Sequence, residues 1–250
     1  MSNNLDVQII EYSNKSLVII DGKISFNRFY ILYCYYRSFL KQPAFMVKGQ
    51  IVLNLFSSFN HRYAGDNNHR SFKIERCCFI NTFIIQDETF GKKLPKHVRL
   101  IRSENLSETS TLSKIYGLDS FTIRFDFCYI KYLLIDSDLG EKLEMQFSNM
   151  IIQVVNFVLS INSTLSFYKT SFLDRVNMPM IPVKSKVQFH ECKFQTFNCY
   201  NTKFRNLIDF YKSEFFAPTQ FHLTDFMDRA VFSQVIFRKE VQFLYCRTRY

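Results

Sequence analysis

The chain has 250 residues, a formal net charge of +10, 47% hydrophobic residues, 29 phenylalanines and no tryptophan. That apolar share excludes a disordered chain, and six glycines with five prolines exclude collagen-like or flexible low-complexity sequence. The length suits one or two domains, which leaves the phenylalanine excess as the feature to explain.

The opening residues, MSNNLDVQIIEYSN, contain neither a basic n-region nor a long apolar run, so no secretory signal peptide is expected. The longest strongly apolar stretch, residues 150–161, is interrupted by Gln153 and Asn156 and falls short of the ~18 to 20 residues that span a membrane. A soluble, cytoplasmic protein is the expectation. Seven cysteines (Cys34, Cys77, Cys78, Cys128, Cys192, Cys199 and Cys246) include no Cys-x-x-Cys pair. They read as small buried apolar residues of a reducing compartment, not as disulfides or zinc ligands.

Residues 1–110 read as an irregular β-rich capping region or as diverged coils. Within them FYILYCYYRSF, rich in β-formers, reads as a buried strand pair or another irregular coil. NHRYAGDNNHRS is a polar loop. Ile74, Phe79, Ile84 and Phe90 then fall at steps of five, five and six, with Cys77 and Thr82 two residues before Phe79 and Ile84. Residues 91–110 form a linker, first basic and then polar. The alternation Phe121, Ile123, Phe125, Phe127 predicts a strand that leads into the second region, residues 111–250.

From there the spacing becomes regular. Phe147, Ile152, Phe157, Asn162, Phe167 and Phe172 keep a step of five, with Asn162 breaking the apolar pattern. Two prolines in NMPMIPVKS mark an irregular corner. Beyond it stand Phe189, Phe194, Cys199, Phe204, Phe210, Phe215, Phe221, Phe226, Phe232, Phe237 and Phe243, all at steps of five or six. From Phe204 the steps alternate six, five, six, five. Two residues before these centres stand Val187, Cys192, Phe197, Thr202, Ile208, Ser213, Thr219, Thr224, Ala230, Val235 and Val241, ten of them small or β-branched.

Neither a helix, with apolar steps of three and four, nor a simple strand, with steps of two, sustains that period. A chain that turns a corner about every five residues does. Each short side sends one large and one small side chain inward, and successive coils stack as parallel strands ~4.8 Å apart with like residues in ladders. The expected fold class is therefore all-β, with an irregular N-terminal region as its cap.

The repeat resembles the pentapeptide-repeat family, with a large Leu or Phe at the centre and a small residue two positions earlier. The resemblance implies a right-handed quadrilateral β-helix with four five-residue sides per coil. The Phe-rich style and six-residue steps are similar to divergent members common in AT-rich bacteria. Two departures stand out. The Asp or Asn usual before the centre is mostly missing, with Asp209 and Asp225 the near cases, and the six-residue steps imply bulged corners.

Candidate sites are few. His61, Asp66 and His69 share one polar loop but lack a third ligand with metal spacing, so a solvated loop is favoured. Cys77 and Cys78, adjacent in a β-pattern, should place one side chain inside and one outside. Lys92, Lys93, Lys96, Arg99 and Arg102 form an acid-free run that could meet phosphates or an anionic membrane surface, though a solvated linker is favoured. No phosphate loop, Ser-His-Asp order or dinucleotide fingerprint occurs, and no catalytic residue, cofactor or metal is expected.

Function is read as a non-catalytic solenoid that binds an unidentified protein partner or serves as a scaffold. Binding of nucleic acid or an anionic surface through basic residues is the alternative. Some pentapeptide-repeat proteins imitate DNA and bind topoisomerases, which needs an acidic surface. Residues 186–250 hold ten Lys plus Arg against six Asp plus Glu, which argues against that role. An enzyme on a β-helix ranks last. Because the repeat runs almost to Tyr250, an end-to-end homodimer through the C-terminal coil is also expected.

Overall fold

A computed structural model describes residues 5–12, 15–54, 69–86, 120–136, 143–158 and 161–249. Among them are twenty-five strands and one helix, so the all-β expectation holds in outline. Only Asp6–Tyr12 and Lys15–Asp21 pair antiparallel. Every other described strand pair is parallel.

The parallel strands form three sheets. One contains Lys15–Asp21, Pro43–Val47, Cys77–Gln86, Tyr129–Asp136, Ile151–Phe157, Ser171–Asn177, Lys193–Asn198, Glu214–Phe215 and Ile236–Phe237 in spatial order. A second stacks His69–Glu75, Ser120–Asp126, Leu143–Ser148, Thr164–Tyr168, Val187–His190, Ile208–Asp209 and Ala230–Val231. The third holds Pro182–Val183, Lys203–Phe204, Asp225–Phe226 and Arg247–Thr248. Residues about one coil apart in sequence lie side by side: Phe125, Phe147, Phe167 and Phe189 are successive partners in one row.

The strand spacing dictates how the core packs. Rings in register must stack face to face at about the separation of the backbones. Phe147 and Phe167 lie 4.7 Å apart, Phe167 and Phe189 5.0 Å, Phe189 and Phe210 5.4 Å, all with nearly parallel planes. A second stack runs Phe172, Phe194, Phe215, Phe237 at 4.7–5.0 Å. Where two stacks meet inside, the rings turn edge-on, as at Phe189–Phe194, 5.2 Å. Grid centres from Phe189 to Phe226 are buried, whereas Phe232 and Phe237 are half-buried and Phe243 is 50% exposed.

The corners explain the alternation of five and six. In each of the three five-residue steps from Phe204 onward the residue two after the centre has positive φ, Lys212 (53°), Leu223 (55°) and Gln234 (57°), and Tyr245 (52°), two after the last centre Phe243, repeats the pattern. The six-residue steps turn without one. At these corners the side with one residue fewer reaches the next face through the left-handed conformation, which costs a non-glycine ~1 to 2 kcal/mol. Bonds between coils offset that cost: Lys169 N donates to His190 O (3.0 Å), Glu191 N to Tyr211 O (2.9 Å) and Lys212 N to Ser233 O (3.0 Å). Special backbone thus sits in the short steps, not in the six-residue steps where bulges were expected.

The small residue that follows most of these corners, Val235 excepted, is also chemically specified. Ser213 Oγ donates to Phe189 O (2.7 Å) and accepts from Cys192 N (3.0 Å). Thr224 Oγ1 donates to Cys199 O (3.2 Å), Cys192 Sγ to Phe167 O (3.4 Å) and Cys246 Sγ to Phe221 O (2.9 Å). A short hydroxyl or thiol thereby gives a carbonyl of the neighbouring strand row a side-chain donor.

Three sequence readings need correction. FYILYCYYRSF is not a strand pair but lies within the helix Phe26–Phe39, here α1. Ser25 caps it by accepting from Arg28 N. Phe26, Phe29 and Tyr33, at i, i+3 and i+7, enter a slot lined by Phe45, Phe72, Phe79 and Phe83, and this burial overrides strand propensity. The second correction concerns register. Asn162 does not hold the inward position; buried Ile161 and Ser163 flank it, and Ile161 bridges Val183. Similarly, a bulge after Phe79 turns Phe83 and Ile85 inward and leaves Ile84 half-buried. Third, Phe127 leaves the alternation: it is a corner residue with φ 49°, exposed to solvent.

Among the described residues the strand His69–Glu75 is at one end of its sheet, and α1 lies against it through the Tyr30 and Phe72 rings. Tyr33 Oη accepts from Glu75 N at 2.9 Å, which satisfies an edge amide.

Candidate interaction surfaces

Inward positions are consumed by the core, so chemistry is left to the outward positions. Three regions concentrate it.

The first is on the largest sheet. Leu173 (55% exposed) and Phe216 (37%) follow the buried centres Phe172 and Phe215, and with Ser171, Lys193 and Gln195 they line a groove of about 170 Å³. Ile151, paired with Ser171, extends the apolar surface one strand further. Residues just after a centre are the signal that finds this groove: Leu and Phe stand where most sides carry a polar residue.

The second region is a polar ladder on the adjacent sheet. His190 Nε2 lies 2.8 Å from Asp209 Oδ2 and 3.3 Å from the Gln188 amide nitrogen. Asp209 Oδ1 accepts from Tyr211 N at 3.0 Å. Lys169 and Lys212 lie over the Tyr168 and Tyr211 rings at 5.0 and 5.2 Å. Neighbouring coils place these groups one strand spacing apart, and most of their polar atoms are spent on one another.

A third region is a cleft of about 320 Å³ where α1 meets the first corners, lined by Arg37, Leu40, Gln42, Pro43, Glu75, Arg76 and Phe127. Arg37 reaches Glu75 at 2.8 Å, and Lys73 pairs with the same carboxylate. Hydrogen bonds from Lys73, then Arg37, hold the Glu75 carboxyl below its ordinary range. Burial pushes the Tyr33 hydroxyl up.

The sequence candidates are dispersed. His61, Asp66, Lys92, Lys93, Lys96, Arg99 and Arg102 lie outside the described residues, as does Phe90. His69 opens the strand paired with Ser120–Asp126. Cys77 is buried and Cys78 half-buried, one side chain to each face. Burial raises the thiols of both. Burial also raises Cys192 and Cys199, each to about 12, which removes thiolate chemistry near neutral pH. Among the described residues no three His, Cys, Asp or Glu side chains gather as a metal site, and no helix is long and apolar enough to cross a membrane. Comparison with family models, with curated proteins and with solved structures gave no match.

Proposed function

We propose that the stacked strands form a right-handed quadrilateral β-solenoid of the pentapeptide-repeat kind, acting in the bacterial cytoplasm as a non-catalytic scaffold for a protein partner. Four inward rows per coil support the architecture. They pass through Phe189, Phe194, Phe221 and Phe226, and each continues in register with the next coil.

One observation carries the binding role: the Leu173–Phe216 groove, a partly apolar surface on a sheet whose inward residues Phe172, Phe194 and Phe215 are buried in the core. Its chemistry fits an apolar side chain of a partner with polar rim contacts to Lys193 and Gln195. Immobilised full-length protein is the test, compared with Leu173→Glu and Phe216→Glu variants. The proposal expects a partner retained by the unaltered protein and lost from both variants; equal retention would refute it.

The proposal includes end-to-end pairing of two copies. Phe243 stacks on Phe221 at 4.8 Å with one face while half its surface stays open, so the last described coil presents apolar rings and strand edges. Sedimentation equilibrium should give a dimer weakened by Phe243→Glu, and a monomer at high concentration would refute the pairing.

A further inference from the structure

We propose that α1 is a docking element for an anionic lipid surface. The helix is apolar on two sides. Its inner side, Phe26, Phe29 and Tyr33, is buried. Its outer side carries Ile31, Tyr35 and Phe39 at i, i+4 and i+8, exposed by 56%, 54% and 71%. That spacing aligns them in one stripe ~12 Å long. Among the described residues, the ring contacts of Tyr35 and Phe39 stay within the helix, at 4.8 Å to each other and 5.1 Å from Tyr35 to Tyr36. A helix that only capped the core would be expected to turn polar residues outward.

Charge selects the occupant. Residues 22–54 contain Lys23, Arg28, Arg37, Lys41 and Lys48 and no aspartate or glutamate. All five cations are exposed. Arg37 is engaged by Glu75, which leaves Arg28 on α1 itself and Lys23 and Lys41 within three residues of its two ends. A second copy would bring this basic surface against itself. Nucleic acid would satisfy the cations and stack bases on Tyr35 or Phe39 but leaves the aliphatic Ile31 without a counterpart. An anionic bilayer satisfies both: aromatic and aliphatic side chains enter the headgroup boundary while flanking Lys and Arg meet lipid phosphates.

The test uses the full chain with vesicles of phosphatidylcholine alone or with phosphatidylglycerol as one third of the lipid, read by co-sedimentation. Exposed Cys34 on α1 also carries an environment-sensitive dye. Binding to the anionic vesicles, a blue-shifted dye and loss in high salt are expected. The Tyr35→Ser/Phe39→Ser and Arg28→Gln/Lys41→Gln variants should each bind at least ~10-fold more weakly, with unchanged thermal unfolding to show that the fold is intact. Absence of vesicle binding, or equal binding by folded variants, would overturn the proposal. So would lipid-free self-association abolished by Tyr35→Ser, or binding to DNA or RNA that depends on Ile31 and Phe39.

Discussion

Phe189→Ala removes a ring with no solvent exposure, stacked on Phe167 at 5.0 Å and Phe210 at 5.4 Å and met edge-on by Phe194 at 5.2 Å. Truncating a buried phenylalanine costs ~3 to 5 kcal/mol, and the cost grows when neighbours cannot collapse into the cavity. Here they cannot: Phe167 and Phe210 are held apart by backbones whose hydrogen bonds fix the strand spacing. The loss should therefore lie in the upper part of that range, ~4 to 5 kcal/mol. Phe243→Ala supplies the contrast. Phe243 is 50% exposed and stacks in register on one ring, Phe221, so about half the transfer effect remains, ~1 to 2 kcal/mol. Urea unfolding followed by far-ultraviolet circular dichroism gives both midpoints. An equal or smaller loss for Phe189→Ala than for Phe243→Ala would refute the ladder reasoning.

Other consequences follow from the corners and thiols. Ser213→Ala deletes both bonds of a buried hydroxyl and should cost ~1 to 3 kcal/mol in the same assay, whereas exposed Ser233→Ala should stay within ~0.5 kcal/mol. Lys212→Val places a β-branched residue at φ 53° and should destabilise by ~1 to 2 kcal/mol, while Lys212→Gly should be neutral or stabilising; equal losses would exclude the corner argument. The folded-state thiols of Cys192 and Cys199, raised from 9.0 to about 12, hold their protons more tightly than in the unfolded chain. Their stabilisation is full below pH 9 and is lost as pH rises toward 12. Denaturation midpoints should fall across that window, and the fall should shrink in Cys192→Ala/Cys199→Ala. At pH 8 a thiol reagent should modify Cys34 first and the buried thiols only after denaturant is added.

Much of the stacked core was legible because a single physical demand, one large residue inward per side, leaves a period that neither helix nor strand imitates. Phe189 to Phe226 kept that register in the structure. Legibility failed where a second demand intervened. At Asn162 the inward role passes to Ile161, and the step shortens by one. In α1 the helical period of Phe26, Phe29 and Tyr33 is hidden by the equally apolar Ile31, Tyr35 and Phe39 on the opposite side. Left-handed corners at Lys212 and Leu223 carry no glycine to announce them. The candidate surfaces were illegible for another reason. Leu173 and Phe216 differ from core residues only in the direction they point, and direction depends on register one residue at a time.

The claim on which the rest depends is that coils distant in sequence stack as parallel neighbours. Ile151 and Ile236 test it directly. Both are exposed, and they belong to one outward row through Ser171, Lys193 and Glu214, four strand steps end to end. Spin labels at these two positions, with Cys34, Cys78 and Cys246 replaced by serine, should give a narrow electron–electron distance distribution. Four steps place the labelled backbones ~19 Å apart. A distribution centred there supports the stacked solenoid. One centred beyond ~30 Å, as antiparallel or unstacked strands would give, contradicts it.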